Sequence, residues 1–174
     1  MKVLLILLLT TSLFSSTLYL YDKKVTATTS SVITDVMNPM SQNMSSVLTM
    51  KNKDPLTLSG SFTVEMNSFM SDQLERDEAM KETLNVEDFK TATFTITNME
   101  KFNDDYLVTG IMLFHGIERE MEVHANITIE DKTLNLTATS MMFMSKHGVK
   151  MPCLIFVCVE DKVDILVEAS YTID

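Results

Sequence analysis

Apolar and polar residues alternate along most of the chain after Leu56. Between residues 58 and 66, for example, Phe62, Val64 and Met66 fall on one face, with Thr63 between the first two. The same two-residue period recurs in residues 92–96, 106–114, 121–129, 134–138 and 163–169. Such alternation, rich in valine and threonine, is typical of antiparallel strands that bury one face. The pattern therefore predicts an all-β protein.

Short polar segments connect the predicted strands. Residues 103–105 and 130–132 fit hairpin turns, and Gly116 marks a tight corner. In a chain of 174 residues, strands of this kind form either a sandwich or a closed barrel of about eight strands. Because closure removes exposed sheet edges, we predict an eight-stranded antiparallel up-and-down barrel with one short helix.

Two regions depart from the clean alternation. Residues 25–36 and 45–51 predict strands from a weaker pattern. Residues 71–84 predict the short helix, with Asp77 as its N-cap. This helix lies between two predicted strands, so we expect it to cover one end of the barrel.

The charge balance excludes one class of partner. The chain has 14 lysines and arginines against 24 aspartates and glutamates, a net charge of −10. Nucleic acids and anionic membrane surfaces are therefore poor partners, because binding them requires a cationic face that releases counterions. The chain also has 15 methionines and no tryptophan.

The N-terminus has the pattern of an export signal. Lys2 precedes an uninterrupted apolar run over residues 3–9, which is shorter than a membrane-spanning helix requires. We therefore predict a signal segment over residues 1–20, a barrel domain over residues 21–174, and a periplasmic or secreted protein. An uncleaved membrane anchor is the alternative.

The two cysteines leave two states open. Cys153 and Cys158 are five residues apart, so within one continuous strand they would point to opposite faces. A bridge between them requires a bend, which Pro152 makes feasible, and two buried free thiols are the interpretation we favour. One C-x4-C pair without a second pair is not a metal-binding pattern.

Candidate catalytic chemistry is weak. The sequence has no G-x-S-x-G, H-E-x-x-H or glycine-rich phosphate loop, so we predict a protein that is not an enzyme. The histidines are His115, His124 and His147, which without placed carboxylates or thiolates make a weak metal site. We expect His115 to form a local hydrogen bond at the Gly116 corner. No cofactor is predicted.

Several separated motifs along the chain are informative. The most specific is VTGIMLFHGI at residues 108–117, and others are NSF with ERDEAM at residues 67–80, VEDF with ATF at residues 86–94, and HGV at residues 147–149. Together they resemble the YceI-like family of exported, lipocalin-like barrels, and the resemblance covers residues 32–173. The chain departs from the family pattern at Lys90, where proline is common, at Met144, where many members have arginine, and at His147, which replaces phenylalanine.

The resemblance implies an elongated apolar cavity that holds a polyisoprenoid, an isoprenoid quinone or a fatty-acid derivative, in a carrier or storage protein. It also admits a homodimer of paired barrels. A methionine-rich lining would suit a flexible chain. The alternative is a barrel core filled by its own side chains. The candidate lipid-contacting residues are Met66, Phe94, Ile96, Val108, Met112, Phe114, Met121, Val123 and Ile127.

Two further alternatives concern charged residues. Arg76 could contact the lipid head group, but an ion pair beside the N-cap Asp77 is the interpretation we favour. A different function would be that of a lipid-free envelope domain, whose acidic outer surface binds a protein or cationic partner. That surface would include Glu120, Glu122, Glu130 and Asp131.

Overall fold

The computed structural model describes residues 15–29, 36–154 and 157–174. Eight long antiparallel strands form a closed barrel, as predicted, and three short strands accompany them. In chain order the strands are β1 (Ser15–Thr28), β2 (Met40–Ser41), β3 (Met44–Lys51), β4 (Asp54–Glu65), β5 (Thr91–Phe102), β6 (Asp105–Phe114), β7 (Ile117–Glu130), β8 (Thr133–Phe143), β9 (Cys153–Leu154), β10 (Val157–Cys158) and β11 (Lys162–Ile173).

Each long strand pairs with its neighbour in sequence, and β11 closes the barrel against β1. The β3–β4 turn places Asn52 and Lys53 at φ 53° and 55°, and the β6–β7 turn places His115 and Gly116 at φ 50° and 74°. Two consecutive left-handed residues give the hairpin turn whose twist matches that of the strands. These connections produce the predicted up-and-down order.

The first strand includes residues 25–28 of the strand predicted over residues 25–36, and residues 30–35 of that prediction lie outside the described residues. It runs from Ser15 to Thr28, and it pairs with β11 from Leu18↔Ile173 to Thr28↔Asp164. Residues 15–20 of the predicted signal segment therefore lie in the barrel, where Leu18 is buried. Residues 1–14 of that segment lie outside the described residues, and export stays a prediction.

The predicted helix is present, but its cap is not Asp77. Helix α1 (Leu74–Thr83) begins after Gln73, and Asp77 lies within it, only 4% exposed. Both carboxylate oxygens of Asp77 lie 2.9 Å from the backbone nitrogen of Ser71, which donates to them. The side chain thus fixes the loop before the helix instead of capping the helix itself.

Replacing Asp77 with alanine is expected to lower the free energy of unfolding by about 1–3 kcal/mol, because the Ser71 N–H loses its acceptor in a buried setting. Glu78 is the matched control, since it is exposed on the same helix. Glu78→Ala should change stability by less than about 0.5 kcal/mol in urea unfolding. Equal effects of the two substitutions would contradict the assigned role of Asp77.

The cysteines form a disulfide, Cys153–Cys158, so the favoured interpretation of two free thiols is wrong. The chain bends between them into a two-stranded hairpin, in which Cys153 and Cys158 are directly opposite. Opposite positions on two antiparallel strands face the same side, which removes the objection that applied to one continuous strand.

The barrel has two different ends. The turn end carries the tight turns β3–β4, β5–β6 and β7–β8, and the helix end carries α1 and the 3-10 helices η1 (Met66–Ser68) and η2 (Met144–His147). Both ends are closed by buried side chains. At the turn end these include Leu18, Met50, Leu134, Tyr171 and Ile173, and at the helix end they include Met66, Phe69, Leu84, Phe114 and Met144.

Tyr171 is fully buried in the turn-end core, where its phenolic oxygen accepts a 3.2 Å hydrogen bond from the hydroxyl of Ser46. Burial raises the pKa of Tyr171 to about 12, although the hydrogen bond from Ser46 acts in the opposite direction. The phenol therefore stays protonated in the folded barrel at a pH that ionises it in the unfolded chain.

This pKa shift predicts a loss of stability in alkali. The unfolded chain releases the phenolic proton near pH 10, so the contribution is complete below that pH and is lost between about pH 10 and about pH 12. The expected loss is about 2–3 kcal/mol in urea unfolding. Tyr171→Phe should lack this part of the pH dependence, and an unchanged alkaline loss in that variant would contradict the assignment.

Candidate functional site

The predicted lipid-contacting residues all belong to one hydrophobic core inside the barrel. The strand registers place them on one face, as in the series Phe62↔Phe94↔Met112 across β4, β5 and β6. Four are buried, namely Met66, Val108, Phe114 and Ile127. Five are only half-buried, namely Phe94, Ile96, Met112, Met121 and Val123.

The half-buried residues form part of a band on the inward faces of β4, β5, β6, β7, β8 and β11, which we call the inner belt. On β4, β8 and β11 its members lie between buried inward-facing residues at either end of the strand. Its members are Phe62, Val64, Phe94, Ile96, Met112, Met121, Val123, Ser140, Ile165 and Val167. Side chains in a filled core are close-packed and buried. The inner belt therefore retains accessible surface that a close-packed core would bury.

Three lapses in strand pairing interrupt the barrel wall. The first is between β1 and β3, which pair only from Ser15↔Lys51 to Leu18↔Leu48. β4 and β5 pair only from Ser61↔Thr95 to Glu65↔Thr91, so their turn-end halves diverge. β7 and β8 pair only from His124↔Thr139 to Glu130↔Thr133, so their helix-end halves diverge. Among the described residues, the wall thus has three places where adjacent strands carry no ladder of backbone hydrogen bonds.

The two arginines occupy different positions at the helix end. Arg76 is half-buried on α1, and within the part of the chain that the structure describes its guanidinium has no ion pair, so the favoured ion pair is absent there. Arg119 is opposite Met112 in the β6–β7 register and therefore on the inward side, and its Nε donates to the Lys146 carbonyl. Arg119 was not among the residues predicted from the sequence, although it is in phase with Met121 and Val123.

The acidic residues of β7 face outward, as the alternative function requires. Glu118, Glu120 and Glu122 are all exposed, and they are opposite Leu113, Ile111 and Thr109 on β6. Glu130 is exposed at the other end of β7 and Asp131 follows in the turn. These carboxylates form a solvated row that is separate from the interior.

Asp161 fixes the start of η2 at the helix end. Its carboxylate accepts hydrogen bonds from both the N–H and the hydroxyl of Ser145, each 2.6 Å long. These hydrogen bonds from Ser145 lower the pKa of Asp161 below its ordinary value. The carboxylate therefore acts as a charged anchor for the segment that follows β8.

A family model described as a YceI-like domain matches residues 16–171. The chain belongs to the YceI-like domain family. The match includes almost all of the eight-stranded barrel, from the start of β1 to near the end of β11.

Curated relatives match this YceI-like domain over shorter segments. A UPF0312 protein of Pectobacterium atrosepticum is 32% identical over 77 residues, which are 43% of this chain and 40% of that protein. Protein YceI of Salmonella arizonae is 31% identical over 81 residues, or 45% of this chain and 42% of that protein. The chain thus spans about two fifths of the length of either relative.

Solved structures share the fold of this YceI-like domain. BcnA of Burkholderia cenocepacia gives a TM-score of 0.75 at 16% identity, covering 85% of this chain and 95% of that one. A polyisoprenoid binding domain from Saccharophagus degradans gives a TM-score of 0.64 at 12% identity, covering 94% and 100%. Over the described residues, no helix combines the length and apolar character needed to cross a membrane.

The motifs that carry the family resemblance meet at the helix end of this YceI-like domain. The ring of Phe89 lies 4.0 Å from that of His115, and His115 Nδ1 lies 3.1 Å from the His147 carbonyl oxygen. His147 is 3% exposed, and its Nδ1 lies 3.1 Å from the Ile117 carbonyl oxygen. His115 does form a hydrogen bond, but to the carbonyl of His147 in η2 instead of locally within the corner, and both histidines join the β6–β7 corner to η2. In the described ranges no three metal-binding side chains cluster.

Gly110 of the same motif shapes the interior. A Cβ at this position would lie 2.3 Å from the ring of Phe94 and 2.5 Å from the Thr95 carbonyl oxygen. Glycine therefore lets the Phe94 ring lie directly against the β6 backbone. A larger residue at position 110 would displace this ring from its place beside β6.

Proposed function

We propose that this YceI-like domain is an exported, non-catalytic carrier or storage protein that holds a long apolar chain inside its barrel. The observation that carries the proposal is the inner belt, in which every residue except Ser140 is apolar and each retains accessible surface. A ligand chain lying against the inner belt would bury surface that the protein's own side chains leave uncovered. Each CH2 group buried contributes about 0.8 kcal/mol, so chain length alone can supply affinity.

The ligand class that we propose is a polyisoprenoid, an isoprenoid quinone or a fatty-acid derivative. The fold shared with a polyisoprenoid binding domain supports the first of these. Met112 and Met121 of the inner belt support a flexible ligand, because unbranched methionine adapts to irregular shapes. The lining provides apolar contact and one hydroxyl, which suits sequestration better than bond-breaking chemistry.

Export is proposed on two features of the chain. Lys2 and the apolar run after it have the pattern of a secretory signal. The Cys153–Cys158 disulfide supports the same location, because such bonds persist in oxidising compartments. Homodimerisation stays a prediction.

The experiment that tests the carrier function is mass spectrometry of an organic extract from protein purified without detergent from its native host. We expect a long-chain lipid at a stoichiometric level. Protein stripped of lipid should also take up a polyprenol or a fatty acid of comparable length. An empty extract together with no uptake of either probe would contradict the proposal.

That negative result would favour the second candidate, a lipid-free interaction domain. The specific observation behind it is the exposed row formed by Glu118, Glu120 and Glu122 beside the apolar Ile111 and Leu113. A cationic protein partner would match this surface in charge. Its binding should weaken with rising salt, whereas uptake of an uncharged polyprenol should not.

A further inference from the structure

The lapse between β7 and β8 opens the wall beside the inner belt. On the helix-end side of the pair His124↔Thr139, β7 pairs only with β6. There β8 pairs only with β11, from Ser140↔Ile165 to Phe143↔Lys162. Continuing the same register would place Val123 opposite Ser140, and both are half-buried members of the belt. The strands carry no backbone hydrogen bonds to each other here.

This lapse is bounded at both ends. Towards the turn end it is bounded by the pair His124↔Thr139. Towards the helix end it is bounded by the contact in which Arg119 Nε donates to the Lys146 carbonyl of η2. We call the opening bounded by these contacts the side window. Buried side chains lie behind the other two lapses. Leu58, 4% exposed, lies behind the lapse between β4 and β5, and Met44, 2% exposed, lies behind the lapse between β1 and β3.

Arg119 has the chemistry to bind an anion at the side window. Its position in the register is inward, next to Met112, yet its side chain is exposed. The hydrogen bond from Nε–H to the Lys146 carbonyl orients the guanidinium. Its two terminal amino groups stay available for a ligand, since the described residues supply no partner for them. A guanidinium held in this way presents a planar fork that fits a phosphate or carboxylate.

We propose that the side window holds the anionic head group of a long-chain lipid, with Arg119 as its binding residue and the apolar chain lying against the inner belt. The inference rests on the proposed carrier function and specifies the ligand chemistry at the mouth. The shared chemistry is an oxyanion, either phosphate or carboxylate, attached to a long apolar chain. The exposed Lys146 adds a second positive charge beside the window.

The test compares a polyprenol with the polyprenyl phosphate of the same chain length, using lipid-stripped protein. Arg119→Gln is expected to weaken binding of the phosphate about tenfold or more and to change polyprenol binding by less than about twofold. Arg119→Lys should give an intermediate loss, since it keeps the charge but not the fork. The polyprenol arm controls for any distortion of the window when the contact with Lys146 is lost.

Two comparison variants locate the effect. Lys132→Gln removes the same charge at the turn end and should leave both affinities unchanged. Arg76→Gln removes the chain's other arginine. A selective loss of phosphate binding in Arg76→Gln instead of Arg119→Gln would overturn the assignment, as would equal weakening of both lipids by Arg119→Gln or no weakening of either.

Inorganic phosphate separates a lipid head-group site from a site for free anions. We expect inorganic phosphate to bind far more weakly than polyprenyl phosphate, and comparable affinity that depends on Arg119 would overturn the proposal. The carrier function fails separately, if the unsubstituted protein binds neither polyprenol nor polyprenyl phosphate. Polyprenol binding with no preference for the phosphate would contradict only the head-group assignment.

Discussion

Tryptophan in place of Met112 is expected to abolish lipid uptake while leaving the barrel folded. Met112 is a half-buried member of the inner belt, opposite Phe94 on one side and Arg119 on the other. The larger indole would occupy space that the proposed ligand chain needs. Displacing roughly four CH2 groups of ligand costs about 3 kcal/mol, so affinity for a polyprenol should fall about 100-fold.

The matched control is Ile111→Trp, on the same strand but on the outer face. Ile111 is opposite Thr95 and Glu120, away from the interior. The Ile111→Trp variant should leave lipid uptake unchanged. Thermal unfolding of both variants should show that the barrel is retained. Equal losses of binding in the two variants, or full binding by Met112→Trp, would contradict an interior ligand site.

Ala125 would be a poor position for the same test. It also faces inward, but it is 1% exposed and is opposite Tyr106 and Ala138. A phenylalanine there would overpack a filled part of the core and lower stability, with no information about the ligand.

Alanine in place of Gly60 is expected to be among the most destabilising single substitutions in the barrel. Gly60 is opposite Leu48 in the β3–β4 pair at φ +128°, a conformation that side chains rarely adopt. A Cβ there would lie 1.9 Å from the Val47 carbonyl oxygen and 3.1 Å from the Leu48 Cα. Both are backbone atoms, so β3 and β4 would have to separate, and we expect a loss of about 3 kcal/mol or more.

Gly148 provides the control for the backbone conformation alone. It also has a positive φ, +76°, but the nearest atom to an added Cβ is Ile117 Cδ1, at 3.3 Å. Gly148→Ala should therefore cost only about 1–2 kcal/mol, the ordinary penalty of a left-handed residue. Urea unfolding followed by circular dichroism measures both losses. A smaller loss for Gly60→Ala than for Gly148→Ala would contradict the steric argument.

The barrel strands after residue 56 were predictable because each alternates with a period of two and buries one face. The position of β1 was not, since Leu18 and Leu20 continue an apolar N-terminal stretch that also fits an export signal. Pairing with β11 places Leu18 and Leu20 in the barrel, and that contact spans nearly the whole chain.

The candidate site was predictable only in part, for a similar reason. Alternation identified which side chains point inward, including Phe94 and Met112, but not which of them are half-buried. That distinction depends on how opposite walls of the barrel are spaced, which local sequence does not encode. Arg119 shares the phase of Met121, which predicts only that it points inward. Its proposed role in binding a head group depends on the loss of β7–β8 pairing on the helix-end side of His124, which the sequence does not show.

The closure of the barrel by β1 and β11 has a consequence for how the protein is made. Leu18 pairs with Ile173, so the ring cannot close until the last strand has left the ribosome. Contacts between residues so distant in sequence make folding slow, because loop-closure entropy is lost before the pairing is gained. The growing chain therefore stays open during synthesis, which is the state in which a polypeptide can be threaded through a secretion channel.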